Sequence, residues 1–173
     1  MNMTHTTTPH RSTPPQPTKI LFVCLGNICR SPAAHAVMQY MTEQTGLTDL
    51  IRIDSAGMGD WHVGQLPDHR MRRHGQLRGY AIDHRARQFC MADFDRFDRI
   101  VVMDDANYRA VAALAPSGEA LSHVERMSAY LPEGCGYTSV PDPYYGGNAD
   151  FELALDLIEQ GCERLLHEIK KTL

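Results

Sequence analysis

No lysine stands between Lys19 and Lys170, which excludes the GxxxxGK[ST] loop of nucleotide-binding proteins. The first loop after an apolar run carries no GxGxxG, and neither CxxC nor HExxH occurs in the chain. These absences remove the dinucleotide fingerprint and the common zinc spacings, so no metal and no cofactor is expected. No stretch approaches the run of about 18 apolar residues that spans a bilayer, so no membrane partner is expected. Positive charge is not in excess either: the formal net charge is -4, which argues against a nucleic-acid partner. The five cysteines are odd in number and irregularly spaced, unlike an extracellular disulfide framework. Residues 1–18, MNMTHTTTPHRSTPPQPT, lack the apolar segment of a secretory signal and read as a disordered tail. A cytoplasmic protein is the expectation, with two tail histidines, His5 and His10, too weak a set to argue for metal.

What is present fits one domain over residues 19–173, a length able to enclose a core. The continuous apolar run ILFVC at 20–24 suits a buried parallel strand. Ser31-Pro32 reads as a helix start, with serine as cap and proline in the first turn. Ala34, Val37, Met38 and Met41 share one face before Gly46 ends that helix. Further strands are expected at 50–55 and 99–103, with a weaker one near 120–124, and Ala56-Gly57 turning out of the second. A short helix interrupted by Gly75 is expected over 68–79, and another helix, capped by Asp104 or Asp105, to about Leu114. Residues 132–147, PEGCGYTSVPDPYYGG, are turn-rich. Phe151, Leu155, Ile158, Cys162, Leu165 and Ile169 step by four and three, which predicts a long amphipathic helix over 148–171 with Cys162 as a core residue. Strands alternating with helices predict an α/β fold, a three-layer domain around a central, mostly parallel four-stranded sheet. In such sheets sites lie beyond the C-terminal ends of strands, which is where Cys24 falls.

The loop beginning there reads Cys24-Leu25-Gly26-Asn27-Ile28-Cys29-Arg30-Ser31. Read alone, Cys24 is equally a packed cysteine at the end of a buried run. The loop around it has the makings of an anion cradle. Gly26 and Asn27 tolerate unusual dihedrals, the following helix offers unpaired N–H donors, and Arg30 supplies a planar fork for phosphoryl oxygens. Donors that hold a dianion also stabilise a thiolate, and the Ser31 hydroxyl is in reach of the sulfur. A cysteine so placed can attack phosphorus.

CLGNICRS resembles the CxxxxxR[ST] loop of low-molecular-weight protein tyrosine phosphatases, whose fold is the phosphotyrosine protein phosphatase I-like one. The similarity continues through DSAG at 54–57, WHVG at 61–64, DHRAR at 83–87, VMD at 102–104 and DPYYGG at 142–147, and so covers essentially everything after the tail. It implies hydrolysis of protein phosphotyrosine through a phosphocysteine, with inorganic phosphate as product and general aryl acid phosphatase activity beside it. It assigns Cys24 as nucleophile, Arg30 as phosphate clamp and Asp142 as general acid and base. Asp142 taken alone is a turn aspartate between two prolines. The resemblance also makes residues 25–31 the phosphate cradle, gives Asn27, Ser31, Ser55 and His84 a supporting role, and lines the entrance with Ile28, Trp61, Tyr144 and Tyr145. His84 on its own would read as a solvated surface residue. Cys29 is either a packed side chain or a partner that traps an oxidised Cys24 as a disulfide. Asp104 neighbours the site without a catalytic step. Phosphorylation of Tyr144 or Tyr145, a tyrosine kinase as substrate and a monomeric or weakly dimeric state follow from the family only.

Three rivals stand beside this reading. A thioredoxin-coupled arsenate reductase needs two further cysteines close together, whereas Cys90, Cys135 and Cys162 lie far apart in sequence. Protein arginine phosphatases resemble this loop but carry threonine where Ile28 stands. A phosphate-dependent binding module would keep Arg30 but has no use for Cys24 and Asp142 together. Met58 departs from the family pattern, which favours a small hydroxyl residue there. The run HRMRRHGQLR at 69–78 is more basic than the family leads one to expect, and is either a solvated face or a surface that steers acidic phosphopeptides.

Overall fold

The run at 20–24 becomes a central strand because both of its faces are covered. The computed structural model describes residues 15–173, so most of the expected tail, with His5 and His10, lies outside the described residues. Strand β1 (Thr18–Cys24) begins at Thr18, one residue inside that expected tail. Ile20, Phe22 and Cys24 point into one core and Leu21 and Val23 into the other; all five are 0–3% exposed. Burying such side chains contributes about 1.5–3 kcal/mol each. Alternate burial on two sides is what a middle-layer strand requires.

Helix α1 (Arg30–Gln44), strand β2 (Ile51–Gly57), helices α2 (His69–Leu77) and α3 (Asp93–Arg96), strand β3 (Arg99–Val102), helices α4 (Asp105–Leu114) and α5 (Gly118–Ser122), strand β4 (Val124–Arg126) and helix α6 (Asn148–Lys170) follow in order. The sheet order is β2-β1-β3-β4, with every neighbouring pair parallel. Helices α1 and α6 belong to the core that takes Ile20 and Phe22, while Val111 of α4 and Ala120 of α5 belong to the opposite one. The three-layer α/β architecture is thus the one expected. All six residues of the α6 stripe are 0% exposed.

Several local expectations are corrected. Helix α1 begins at Arg30 with Cys29 at its N-cap; Ser31 does not cap, because its hydroxyl is turned inward to Cys24 and Asn27. Gly46, at φ +69, ends this helix in the left-handed conformation glycine favours. Strand β2 runs on through Ala56 and Gly57, which pair with Val23 and Cys24. A Cβ on Gly57 would stand 2.8 Å from the Asn27 nitrogen, so glycine here admits the loop after β1 against the sheet. Gly75 does not interrupt α2; its missing side chain makes room for Ile82, whose Cδ1 would lie 2.4 Å from a Cβ. The segment expected as a strand near 120–124 is mostly α5, capped by the Ser117 side chain, which accepts from the Ala120 N–H. Strand β4 starts only at Val124.

Candidate active site

At the C-terminal end of β1 the chain turns through Asn27, which holds φ 56. Its side-chain amide is used on every side. Nδ2 donates to Ser31 Oγ at 2.8 Å and to Ser55 Oγ at 3.0 Å, and Oδ1 accepts from the Arg87 backbone N–H at 3.0 Å. Because Ser31 Oγ accepts from Asn27, its own proton is left for Cys24 Sγ, 3.0 Å away, or for the Ala56 carbonyl at 3.3 Å. Asn27 therefore does two jobs: it locks the loop in a strained dihedral and orients the hydroxyl toward the sulfur.

Ser55 ties this support to the helix behind it. His84 Nε2 donates to the Ser55 carbonyl at 3.0 Å, so His84 grips the backbone of Ser55 and not its hydroxyl. The hydroxyl instead faces His35 Nδ1 at 3.4 Å. Burial, helped by the neighbouring His84, lowers the His35 pKa to about 4, so the ring is neutral near pH 7. The unfolded chain then holds more protons at this residue than the folded one between about pH 6.5 and 4. Stability drawn from this site is full above about pH 6.5 and is lost as pH falls toward 4, by at most about 3 kcal/mol. Urea midpoints at pH 7 and pH 5 should differ less in His35→Gln than in the wild type; an equal difference would show that His35 is not the group responsible.

Arg30 is buried, at 2% exposure. Burial opposes its charge, but Cys24, Asp104 and Asp142 outweigh that and raise the pKa, keeping the guanidinium charged. Nη1 donates to Asp104 Oδ2 at 2.6 Å and to the Val140 carbonyl at 3.0 Å. Nη2 faces Asp142 Oδ2 at 3.5 Å. Asp104 serves twice, since its Oδ1 also accepts from the Asn107 N–H and caps α4. Asp142 is held in a tight turn by the Tyr144 N–H, which donates to Oδ1 at 3.2 Å.

These groups enclose a pocket of about 320 Å³. Of the residues singled out in the sequence, Cys24, Leu25, Gly26, Ile28, Cys29, Arg30, Trp61, Asp142, Tyr144 and Tyr145 line it. Asn27, Ser31 and Ser55 are fully buried and, with His84, lie behind that lining, where they hold the loop. Trp61 is 64% and Tyr145 96% exposed, and Tyr144 meets Tyr145 edge to face with centroids 4.9 Å apart. Cys29 is buried among them; burial, then Asp68, Cys24 and Asp142, push its thiol well above the ordinary cysteine range. It therefore rests as a neutral thiol.

Three participants escape a reading of the sequence. His62 also lines the pocket, beside a tryptophan that draws attention first. His35 sits on α1 with no periodic signal. The Arg87 amide acts through its backbone, 60 residues from Asn27, and backbone roles leave no residue-type signature. The basic run divides: Arg70 and Arg78 are tied to Asp68 and to Glu152 with Asp156, while Arg72 and Arg73 stay exposed. Among the described residues one group could hold a metal ion, His35, Asp54 and His84, whose ligand atoms lie within 4.8 Å. Those atoms are already engaged, Asp54 by the Arg87 guanidinium at 2.9 Å and His84 by the Ser55 carbonyl. A cation there would meet an existing positive charge.

A buried arginine, a cysteine at a strand end and a facing aspartate in one aromatic-walled pocket define a cysteine-dependent phosphatase. The low molecular weight phosphotyrosine protein phosphatase family matches residues 19–173, and the chain belongs to that family as a protein-tyrosine phosphatase acting on phosphoproteins. It is 41% identical to a low molecular weight protein-tyrosine-phosphatase of Streptomyces coelicolor, over 88% of this chain and 94% of that protein. A protein tyrosine phosphatase from Entamoeba histolytica, solved with Hepes in its active site, superposes with a TM-score of 0.86 at 41% identity, covering 90% of this chain and 98% of that one. A Drosophila arginine phosphatase superposes at 0.81 with 31% identity, over 88% and 98%, so the fold alone does not separate phosphotyrosine from phosphoarginine as substrate. No helix of the described residues is long and apolar enough to cross a membrane.

Proposed function

We propose that residues 19–173 form one catalytic domain in which Cys24, Arg30 and Asp142 carry the reaction. The observation behind this is their convergence on one pocket from a strand end, a helix start and a distant turn. The Cys24 thiolate attacks phosphorus as the tyrosyl oxygen leaves with a proton from Asp142. The Arg30 fork and the amides of residues 25–31, a phosphate-binding loop, hold the equatorial oxygens. Water, deprotonated by Asp142, then cleaves the phosphocysteine and releases inorganic phosphate.

Ile28 is 9% exposed and, with Tyr144 and Tyr145, makes the wall apolar and deep enough for an aryl phosphate. That favours phosphotyrosine over phosphoarginine, whose guanidinium would need polar partners. Tyrosine-, arginine- and serine-phosphorylated peptides of one sequence should be hydrolysed in that descending order, with phosphotyrosine ahead by tenfold or more. Faster turnover of phosphoarginine would reverse the assignment.

The regulatory reading is that peroxide oxidises Cys24 to the sulfenic acid and Cys29 displaces water to give the Cys24–Cys29 disulfide. Both thiols are free and buried at the same pocket, which supports it. A monomer or weak homodimer in the cytoplasm, acting on a tyrosine kinase among other phosphoproteins, is the setting in which five free cysteines and a rim of exposed aromatics make sense.

A further inference from the structure

Arg70 does not line the pocket, yet it touches three of the parts that build it. Its Nε and Nη2 donate to the two oxygens of Asp68 at 3.0 and 2.9 Å. Nη2 also donates to the Tyr144 carbonyl at 2.9 Å. The guanidinium carbon lies 4.7 Å from the centre of the Phe151 ring and 5.6 Å from that of Tyr144, and Phe151 is wholly buried on α6. Asp68 in turn is fixed to the phosphate loop, because its N–H donates to the Ile28 carbonyl at 2.8 Å.

The turn carrying Asp142 is otherwise sparsely held. Across residues 141–146, among the described residues, the Arg70 bond is the one hydrogen bond to the backbone from outside the turn. Tyr144 is also the residue whose N–H donates to the Asp142 carboxylate. One side chain therefore joins the phosphate loop, the α6 core and the carboxylate turn. We propose that Arg70 is a positioning residue that sets the distance between Asp142 and the phosphate loop, and so governs proton delivery to the departing oxygen. The inference rests on Asp142 being the general acid.

A positioning role has a signature that a merely structural one lacks. A tyrosyl oxygen needs a proton to leave, whereas p-nitrophenolate, a much weaker base, leaves with little help. The experiment compares kcat/KM for a phosphotyrosyl peptide and for p-nitrophenyl phosphate in wild type, Asp142→Asn, Arg70→Met and Arg70→Lys, with the Tm of each. Asp142→Asn should lose about 100-fold or more on the peptide and far less on the nitrophenyl ester. Arg70→Met should show the same asymmetry on a smaller scale, about tenfold against about twofold, since a small misplacement of a reacting group is costly. Arg70→Lys keeps the charge beside Asp68 and should recover Tm, but a single ammonium cannot chelate Asp68 and also reach the Tyr144 carbonyl, so the asymmetry should persist. If Arg70→Met does not fold, Arg70→Lys carries the test. Equal losses on both substrates in the Arg70 variants, or a normal ratio in Arg70→Lys, overturn the proposal. Equal losses in Asp142→Asn overturn the acid assignment and this inference with it, whereas a selective loss there beside equal losses in the Arg70 variants overturns the positioning role alone.

Discussion

Cys24→Ser should abolish turnover of phosphotyrosyl peptides, by about four orders of magnitude or more in kcat/KM, while inorganic phosphate should still bind. Nucleophile and cradle are separable. The loop shape depends on Asn27, whose three bonds run to Ser31, Ser55 and the Arg87 amide, and none of them involves the sulfur. A serine oxygen replaces Sγ with little change in bulk, and Ser31 can still bond to it. What is lost is the chemistry: a hydroxyl yields its proton far less readily than a thiol, and no adjacent general base takes it up. Losses of this size are typical when the residue that forms the covalent intermediate is removed. Single-turnover kinetics and phosphate titration by calorimetry test both halves. Activity within tenfold of wild type would remove Cys24 from the mechanism, and lost phosphate affinity would show that the sulfur helps to shape the cradle.

Arg30→Lys should lower kcat/KM by about a hundredfold to a thousandfold and weaken inhibition by phosphate in parallel. Arginine here meets demands that lysine cannot combine. One arm, Nη1, is spent on Asp104 and the Val140 carbonyl, at 2.6 and 3.0 Å, which leaves the rest of the fork to face the pocket. A lysine nitrogen is a single point charge: it can satisfy Asp104 or reach a phosphoryl oxygen, but not both in a fixed plane. Removing one donor from a preorganised oxyanion site commonly costs two to three orders of magnitude. Because Arg30 also neutralises Asp104, Arg30→Met adds a stability loss that lysine avoids, and comparing the two variants separates folding from catalysis. Retention of more than a tenth of the activity in Arg30→Lys would shift the anion-binding role to the loop amides.

The parts of the chain that were legible in sequence are those fixed by local pattern. The stripe from Phe151 to Ile169 and the run at 20–24 specify a buried face by composition, and both behave accordingly. The loop from Cys24 to Ser31 was readable because glycine, asparagine and arginine each have a distinct physical use there. The failures share a different cause. Ser31 looked like a cap because serine before proline usually is one; only the approach of Asn27 and Cys24 shows that its hydroxyl is already claimed. Residues 120–124 read as extended because the helix over Gly118–Ser122 has only five residues, too few to display a helical period. Gly57 looked like a turn, although its real constraint is the nearness of a loop 30 residues earlier in the chain. Arg70 is hidden in a basic run and His35 between Ala34 and Ala36, because their meaning comes entirely from contacts across the fold.

The machinery sits on two kinds of ground. The proposed phosphate cradle is set in the core, where Asn27, Ser31 and Ser55 have no exposed surface and any change is felt by folding itself. The proposed acid, Asp142, is carried on a turn whose tip, Tyr145, stands almost fully in solvent. Descendants of this protein are therefore free to explore new leaving groups by altering the turn, whereas their recognition of the phosphoryl group is frozen by the architecture that keeps them folded.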